Sequence, residues 1–236
     1  MTRALAIAAA ELGVLFRSPA TWVLWAMFLF AAGYGFATSP ATHLETSMRG
    51  ALGWVLFALM FLIPAVAARL LSREFEEGTI ELTLTAPVTD LELIVGKYLA
   101  GLVLAFGWLA TTLPLAGLLA LYGSPEWLLL ATGYLAIALV TILFMAMASL
   151  GAVLAPNQAL GFVLGAGLIL AVWFSGAALA LLPALSPEAS VALSLANQFD
   201  EMSNGILDLR AVVLPLSLAA VALFLATRVI ETRRWL

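Results

Sequence analysis

Glu74-Phe75-Glu76-Glu77-Gly78-Thr79-Ile80-Glu81-Leu82-Thr83-Leu84-Thr85-Ala86-Pro87-Val88, running on to Gly96-Lys97-Tyr98-Leu99, is the long charged interruption of an otherwise apolar chain. Six acids (Glu74, Glu76, Glu77, Glu81, Asp90, Glu92) against two bases (Arg73, Lys97) leave residues 73–97 with a net charge of −4. A segment this polar between two long apolar runs must lie outside a bilayer, because hydrocarbon cannot solvate it. The rest of the 236 residues agrees: 64% are hydrophobic and 10% charged, whereas soluble domains carry roughly 25% charged residues. The composition defines an all-α integral membrane protein.

Six apolar runs are long enough for a hydrocarbon core about 30 Å thick, which takes roughly 20 helical residues to cross. They cover about residues 19–38, 51–71, 99–121, 127–155, 160–182 and 211–230, and the chain reads as one transmembrane domain over residues 1–236. Ser18-Pro19 and Ser124-Pro125-Glu126 pair an N-cap acceptor with a proline suited to the first helical position, and mark the starts of the first and fourth spans. Thr89 and Glu92 have the spacing of a capping box that opens a helix leading into the third span. Pro64, Pro114 and Pro215 predict kinks in spans two, three and six.

Of the ten bases, Arg3, Arg17, Arg69, Arg73, Lys97, Arg228, Arg233 and Arg234 fall on the side of the termini, and only Arg49 and Arg210 on the other. Eight against two predicts both termini and the acidic loop in the cytoplasm. Arg3 before an Ala-rich run is similar to the start of a secretory signal, but Glu11 and Arg17 and the lack of a small-residue cleavage site predict a retained segment. Wound as a helix, residues 3–16 place Arg3, Ala10 and Glu11, with Arg17 beyond, opposite Leu5, Ala8, Leu12, Leu15 and Phe16. That pattern fits a helix in the headgroup layer, or an extension of the first span.

Several functions are excluded or disfavoured. The net charge of −4 and scattered bases argue against nucleic acid. The absence of cysteine removes disulfides and thiolate chemistry, and the single histidine, His43, disfavours an imidazole metal site. The interiors of the six runs hold no Asp, Glu, Lys, Arg or His, the groups that ion- and proton-coupled carriers need inside the membrane. Gly96-Lys97 lacks the glycine at position 91 and the following Ser or Thr of a phosphate loop, so Lys97 reads as a lysine snorkelling to the interface. Ser175 would serve as a nucleophile only beside a base, and the favoured reading is a packing hydroxyl bonded to its own helix. Gly161 and Gly165 give the fifth run a smooth face, for a second copy of the chain or for a helix of the same subunit.

Residues 79–86 can form a short helix capped by Thr79, with Glu81 in its first turn and Pro87 ending it; Ile80, Leu84 and Val88 then share a face. Such a helix is marginal alone and gains stability in a partner's groove, or as a loop tucked against the bilayer. The pattern Glu77-Gly78-Thr79-x-Glu81-x-x-Leu84-x-x-Pro87-Val88, then Gly96-Lys97-Tyr98-Leu99, resembles the cytoplasmic loop between spans two and three of type-two ABC exporter permeases. Gly205-Ile206-Leu207-Asp208-Leu209-Arg210 and Glu231-Thr232-Arg233-Arg234-Trp235 resemble the permease branch containing NosY and GldF.

The resemblance implies a permease without ATPase activity that dimerises with itself or a related permease and binds a separate ABC ATP-binding subunit. ATP and magnesium would be held by that subunit, with no cofactor in this chain. It further implies an amino-terminal interfacial helix, a coupling loop over residues 74–92 using Glu77, Gly78, Thr79, Glu81, Leu84 and Pro87, a dimer interface along spans one and five, and a bacterial or archaeal cytoplasmic membrane. A non-transporting membrane scaffold that recruits a soluble partner through the same loop is the alternative.

Overall fold

The computed structural model describes residues 2–42, 48–76, 88–122, 126–180 and 191–233. Among these residues every regular element is a helix: α1 (Thr2–Arg17), α2 (Pro19–Thr42), α3 (Arg49–Glu76), α4 (Asp90–Ala110), α5 (Leu113–Tyr122), α6 (Trp127–Leu154), α7 (Gln158–Trp173), α8 (Ser175–Leu179), α9 (Leu195–Ser203) and α10 (Leu209–Arg233). Helices are the economical form for such a sequence, because each backbone N–H and C=O is satisfied within its own segment when no water is at hand.

Among the described residues five stretches are long and apolar enough to cross a membrane: Pro19–Thr38, Arg49–Arg73, Asp90–Leu121, Trp127–Leu154 and Leu209–Thr232. The fifth expected run, 160–182, does not form one long helix. α7 has 16 residues, about 24 Å at 1.5 Å per residue, and falls short of a hydrocarbon core about 30 Å thick. It ends where Trp173 meets Phe144 of α6 edge-on at 6.1 Å and Phe199 of α9 at 5.9 Å; the chain then restarts as the short α8, whose Gly176 lies against Ser194.

The third run is broken as well. Pro114 has no N–H and its ring crowds the carbonyl four residues back, and α4 stops at that residue, Ala110. Thr111 and Thr112 turn their hydroxyls onto the carbonyls of Trp108 and Leu109, and Thr112 also bonds Tyr134 at 2.9 Å. Pro64 and Pro215, by contrast, lie inside α3 and α10, which continue past them.

Helix starts follow the local sequence. α2 begins at Pro19 after Ser18. α4 opens on the expected capping box: Glu92 N–H donates to Thr89 Oγ1 at 3.2 Å, and Thr89 N–H to Glu92 Oε2 at 3.1 Å. α6 begins at Trp127 behind Glu126, while Ser124 and Pro125 lie outside the described residues. α9 ends at Asn204-Gly205, where Gly205 takes φ +83° and the N–H groups of Gly205 and Ile206 close back onto Met202 and Glu201; only glycine adopts that backbone without strain.

α6 is the axis of the bundle, buried along most of its length against α3, α7, α9 and α10. α2 and α3 run in opposite directions, whereas α3 and α6 run in the same direction, as the contacts at the two ends show. At one end Arg69 of α3 bonds Thr21 of α2 (3.5 Å), and Ser72 of α3 donates to the Ala152 carbonyl of α6 (2.8 Å). At the other, Gly35 of α2 abuts Trp54 of α3, and Arg49 pairs with Asp200 of α9 at 3.3 Å.

Candidate coupling site

Residues 77–87, which hold Glu77, Gly78, Thr79, Glu81, Leu84 and Pro87, lie outside the described residues. Their two stems do not. α3 delivers the segment at Glu76, and α4 receives it after Thr89. The first stem is tied to the bundle, the Gln158 N–H at the start of α7 donating to Glu76 Oε2 at 3.0 Å, and the second is closed by its own capping box at the first turn of α4. Ser72, fully buried one turn before Glu76, ties the same end of α3 to α6.

α1 packs along the first half of α4. Gly96 makes the approach feasible, since a Cβ there would lie 2.8 Å from the Ile7 Cβ and 2.9 Å from the Ala4 carbonyl oxygen. The side of α1 that meets the protein carries Ala4, Ala8 and Leu15, all buried, with Glu11 among them. This corrects the amphipathic division expected for the helix. Glu11 turns inward, whereas Leu5 and Phe16 stay exposed. The sequence pattern misled because one carboxylate finds its partner inside the protein.

That partner is Lys97. Its ammonium lies 2.5 Å from Glu11 Oε1 and donates to the Leu70 carbonyl of α3 at 2.8 Å, and the residue is 1% exposed. Lys97 is therefore a buried, paired cation and does not snorkel to the interface. A buried ammonium is tolerated where its partners repay the loss of water. The available signal was an isolated base beside a glycine on α4 and an isolated acid on α1; only proximity links the two.

At the elbow between α1 and α2, Trp22 donates from Nε1 to the Phe16 carbonyl at 2.9 Å and stacks on Trp25 at 5.6 Å.

Gly161 and Gly165 are placed within the subunit. Gly161 lies against Ser72 of α3, and a Cβ on Gly165 would stand 3.3 Å from the Ala148 Cα of α6 and 3.4 Å from the Pro64 Cβ of α3. Ser175 donates to the Val172 carbonyl at 2.7 Å, the bonding of a packing hydroxyl, and His43 lies outside the described residues. Ser149 likewise bonds its own helix, at the Met145 carbonyl.

On its outer side the pair α2–α3 forms an apolar groove of about 520 Å³, walled by Met27, Phe30 and Tyr34 from α2 and Trp54, Phe57 and Phe61 from α3. Phe30 is 75% exposed and Phe57 54%. No groups of acidic or histidine side chains suited to a metal ion occur among the described residues.

Five apolar helices of membrane length among the described residues define a multi-pass membrane protein. The profile of the ABC-2 family transporter proteins matches residues 12–176, well over half of the chain, and the chain belongs to that family. Membership makes it a membrane transport component and not itself the catalyst, and implies an ABC transporter with an ATP-binding partner. No curated protein sequence matches it significantly.

Proposed function

We propose that this chain is the transmembrane permease subunit of an ATP-driven exporter of the NosY and GldF type, coupled to a separate ABC ATP-binding subunit through residues 74–92. The observation that carries the reading is the family match taken with the position of the loop. The match ends within α8 and spans both stems, and the first stem ends at Glu76, at the end of the bundle where Arg69 meets Thr21 and lies near Arg73. An excess of bases at that end supports a cytoplasmic loop and cytoplasmic termini in a bacterial or archaeal inner membrane.

In this reading Glu77, Gly78, Thr79, Glu81, Leu84 and Pro87 form the docking element, and its acids meet basic residues on the ATPase. Two copies of the permease, or this chain and a related one, face each other along α2 and α7, with Gly161 and Gly165 shaping α7 so that it seats on α3 and α6. Closure of the two ATP-binding subunits draws the loops together and tilts the spans, alternating access along the dimer axis. ATP and magnesium reside in the partner. The aromatic groove between α2 and α3 supports an apolar or amphipathic cargo.

The test is co-expression with an ABC ATP-binding subunit encoded beside the gene. Glu77→Lys with Glu81→Lys is expected to abolish permease-stimulated ATP hydrolysis while the protein remains inserted. Full stimulation in the double variant would refute docking through these acids. Co-purification with no nucleotide-dependent change would instead support a membrane scaffold.

A further inference from the structure

Lys97 is the buried charge that the docking reading leaves unused. It is the sole Lys, Arg, His, Asp or Glu between Leu93 and Ala110, and it lies in the interior. Three groups from three elements meet at its side: the Glu11 carboxylate of α1 (2.5 Å), the Leu70 carbonyl of α3 (2.8 Å) and the α4 backbone that bears it. α3 and α4 are the two stems of residues 77–87. Gly96, the preceding residue, lets α1 lie close against α4, so close backbone packing and the ion pair coincide on one turn.

An exposed pair at this spot would exchange its partners with water and hold little; this one keeps its geometry, because the Lys97 side chain is 2% exposed and its ammonium, parted from the 22%-exposed Glu11, would be left without solvent. We infer that Lys97 is a positioning residue whose ammonium fastens α1 and both stems of the 77–87 segment into one body, so that a displacement of the loop carries α1 with it along the membrane surface. The inference rests on the loop being the place where an ATPase docks. It adds that α1 is a driven part and not a passive anchor.

The chain has no cysteine, which permits paired spin labels at Ala10 of α1 and Leu91 of α4, both exposed, in the full-length protein reconstituted in liposomes. Double electron–electron resonance on the otherwise unaltered chain is expected to give one narrow distance. Lys97→Met and Glu11→Gln are expected to lose that single peak, and the exchange Glu11→Lys with Lys97→Glu to restore it. Glu11→Gln preserves shape, so it reports even if Lys97→Met does not fold. An unchanged narrow distance in Glu11→Gln overturns the clamp.

A second label pair, Ala10 with Ala220 of α10, follows α1 against the bundle in the complex with the ATP-binding subunit. ATP is expected to shift this distance in the parent and not in Glu11→Gln, while the partner remains bound in both. A nucleotide shift that persists in Glu11→Gln overturns the inference and leaves the docking reading intact. Loss of partner binding only in Glu77→Lys with Glu81→Lys supports docking independently of the clamp.

Discussion

Gly151 of α6 and Gly165 of α7 cross with their backbones in contact: a Cβ built on Gly151 would lie 2.6 Å from the Gly165 Cα. Small residues at a crossing let two helices approach until main-chain atoms touch, which is how packing replaces the hydrophobic effect inside a bilayer. Backbone cannot yield as a side chain can. Gly151→Val is expected to destabilise the fold by about 1–3 kcal/mol, the usual range for overpacking. Gly167→Ala, where an added Cβ meets nothing within 4 Å, should be neutral or stabilise by up to ~1 kcal/mol. Reversible unfolding in mixed micelles compares the two.

The start of α4 depends on a reciprocal cap between Thr89 and Glu92. Thr89→Ala removes the acceptor for the Glu92 N–H and is expected to cost about 0.5–2 kcal/mol. The loss should be local, seen as faster amide exchange at residues 91–93 with exchange in α6 unaltered. Uniform loss of protection across the bundle would show that the cap supports more than its own turn.

Arg49 and Asp200 pair at 3.3 Å across the opposite end of the bundle, with side chains 40% and 71% exposed. Exposure of this degree leaves the pair in high dielectric, and a double-mutant cycle with Arg49→Met and Asp200→Asn is expected to give a coupling of roughly 0–1 kcal/mol. A larger value would mean that the link between α3 and α9 is shielded in the membrane.

Association with the ATP-binding subunit should be salt-dependent. The loop's acids act over a Debye length of about 10 Å at 0.1 M salt and ~3 Å at 1 M. The rate of association is expected to fall over that range more than the rate of dissociation rises, as surface plasmon resonance on nanodisc-held permease would measure. A salt-independent rate would count against docking through these acids.

Hydroxyls at the break between α4 and α5 carry a smaller burden. Thr112→Val removes bonds to the Leu109 carbonyl and to Tyr134 and is expected to cost about 0.6 kcal/mol, up to ~1.7, in line with hydrogen bonds between membrane helices. The same unfolding measurement resolves it.

Much of the architecture was legible along the chain. Apolar runs of membrane length, the proline after Ser18, the Thr89–Glu92 box and the turn at Asn204-Gly205 are local signals, and each acts through bonds within a few residues of itself. The charge of the segment between the second and third apolar runs was equally plain in the sequence, and residues 77–87 at its centre lie outside the described residues. Tertiary contacts decided the rest. The 160–182 run was apolar enough for one span, yet Trp173 wedges between Phe144 and Phe199 and the helix ends there. Glu11 looked like one member of a water-facing strip and Lys97 like a cation reaching for the interface, 86 residues apart. Hydropathy and periodicity weigh each residue against solvent and its near neighbours. Whether two distant charges neutralise each other in the interior depends on how α1 lies on α4, and that is set by Gly96 and the shape of the whole bundle.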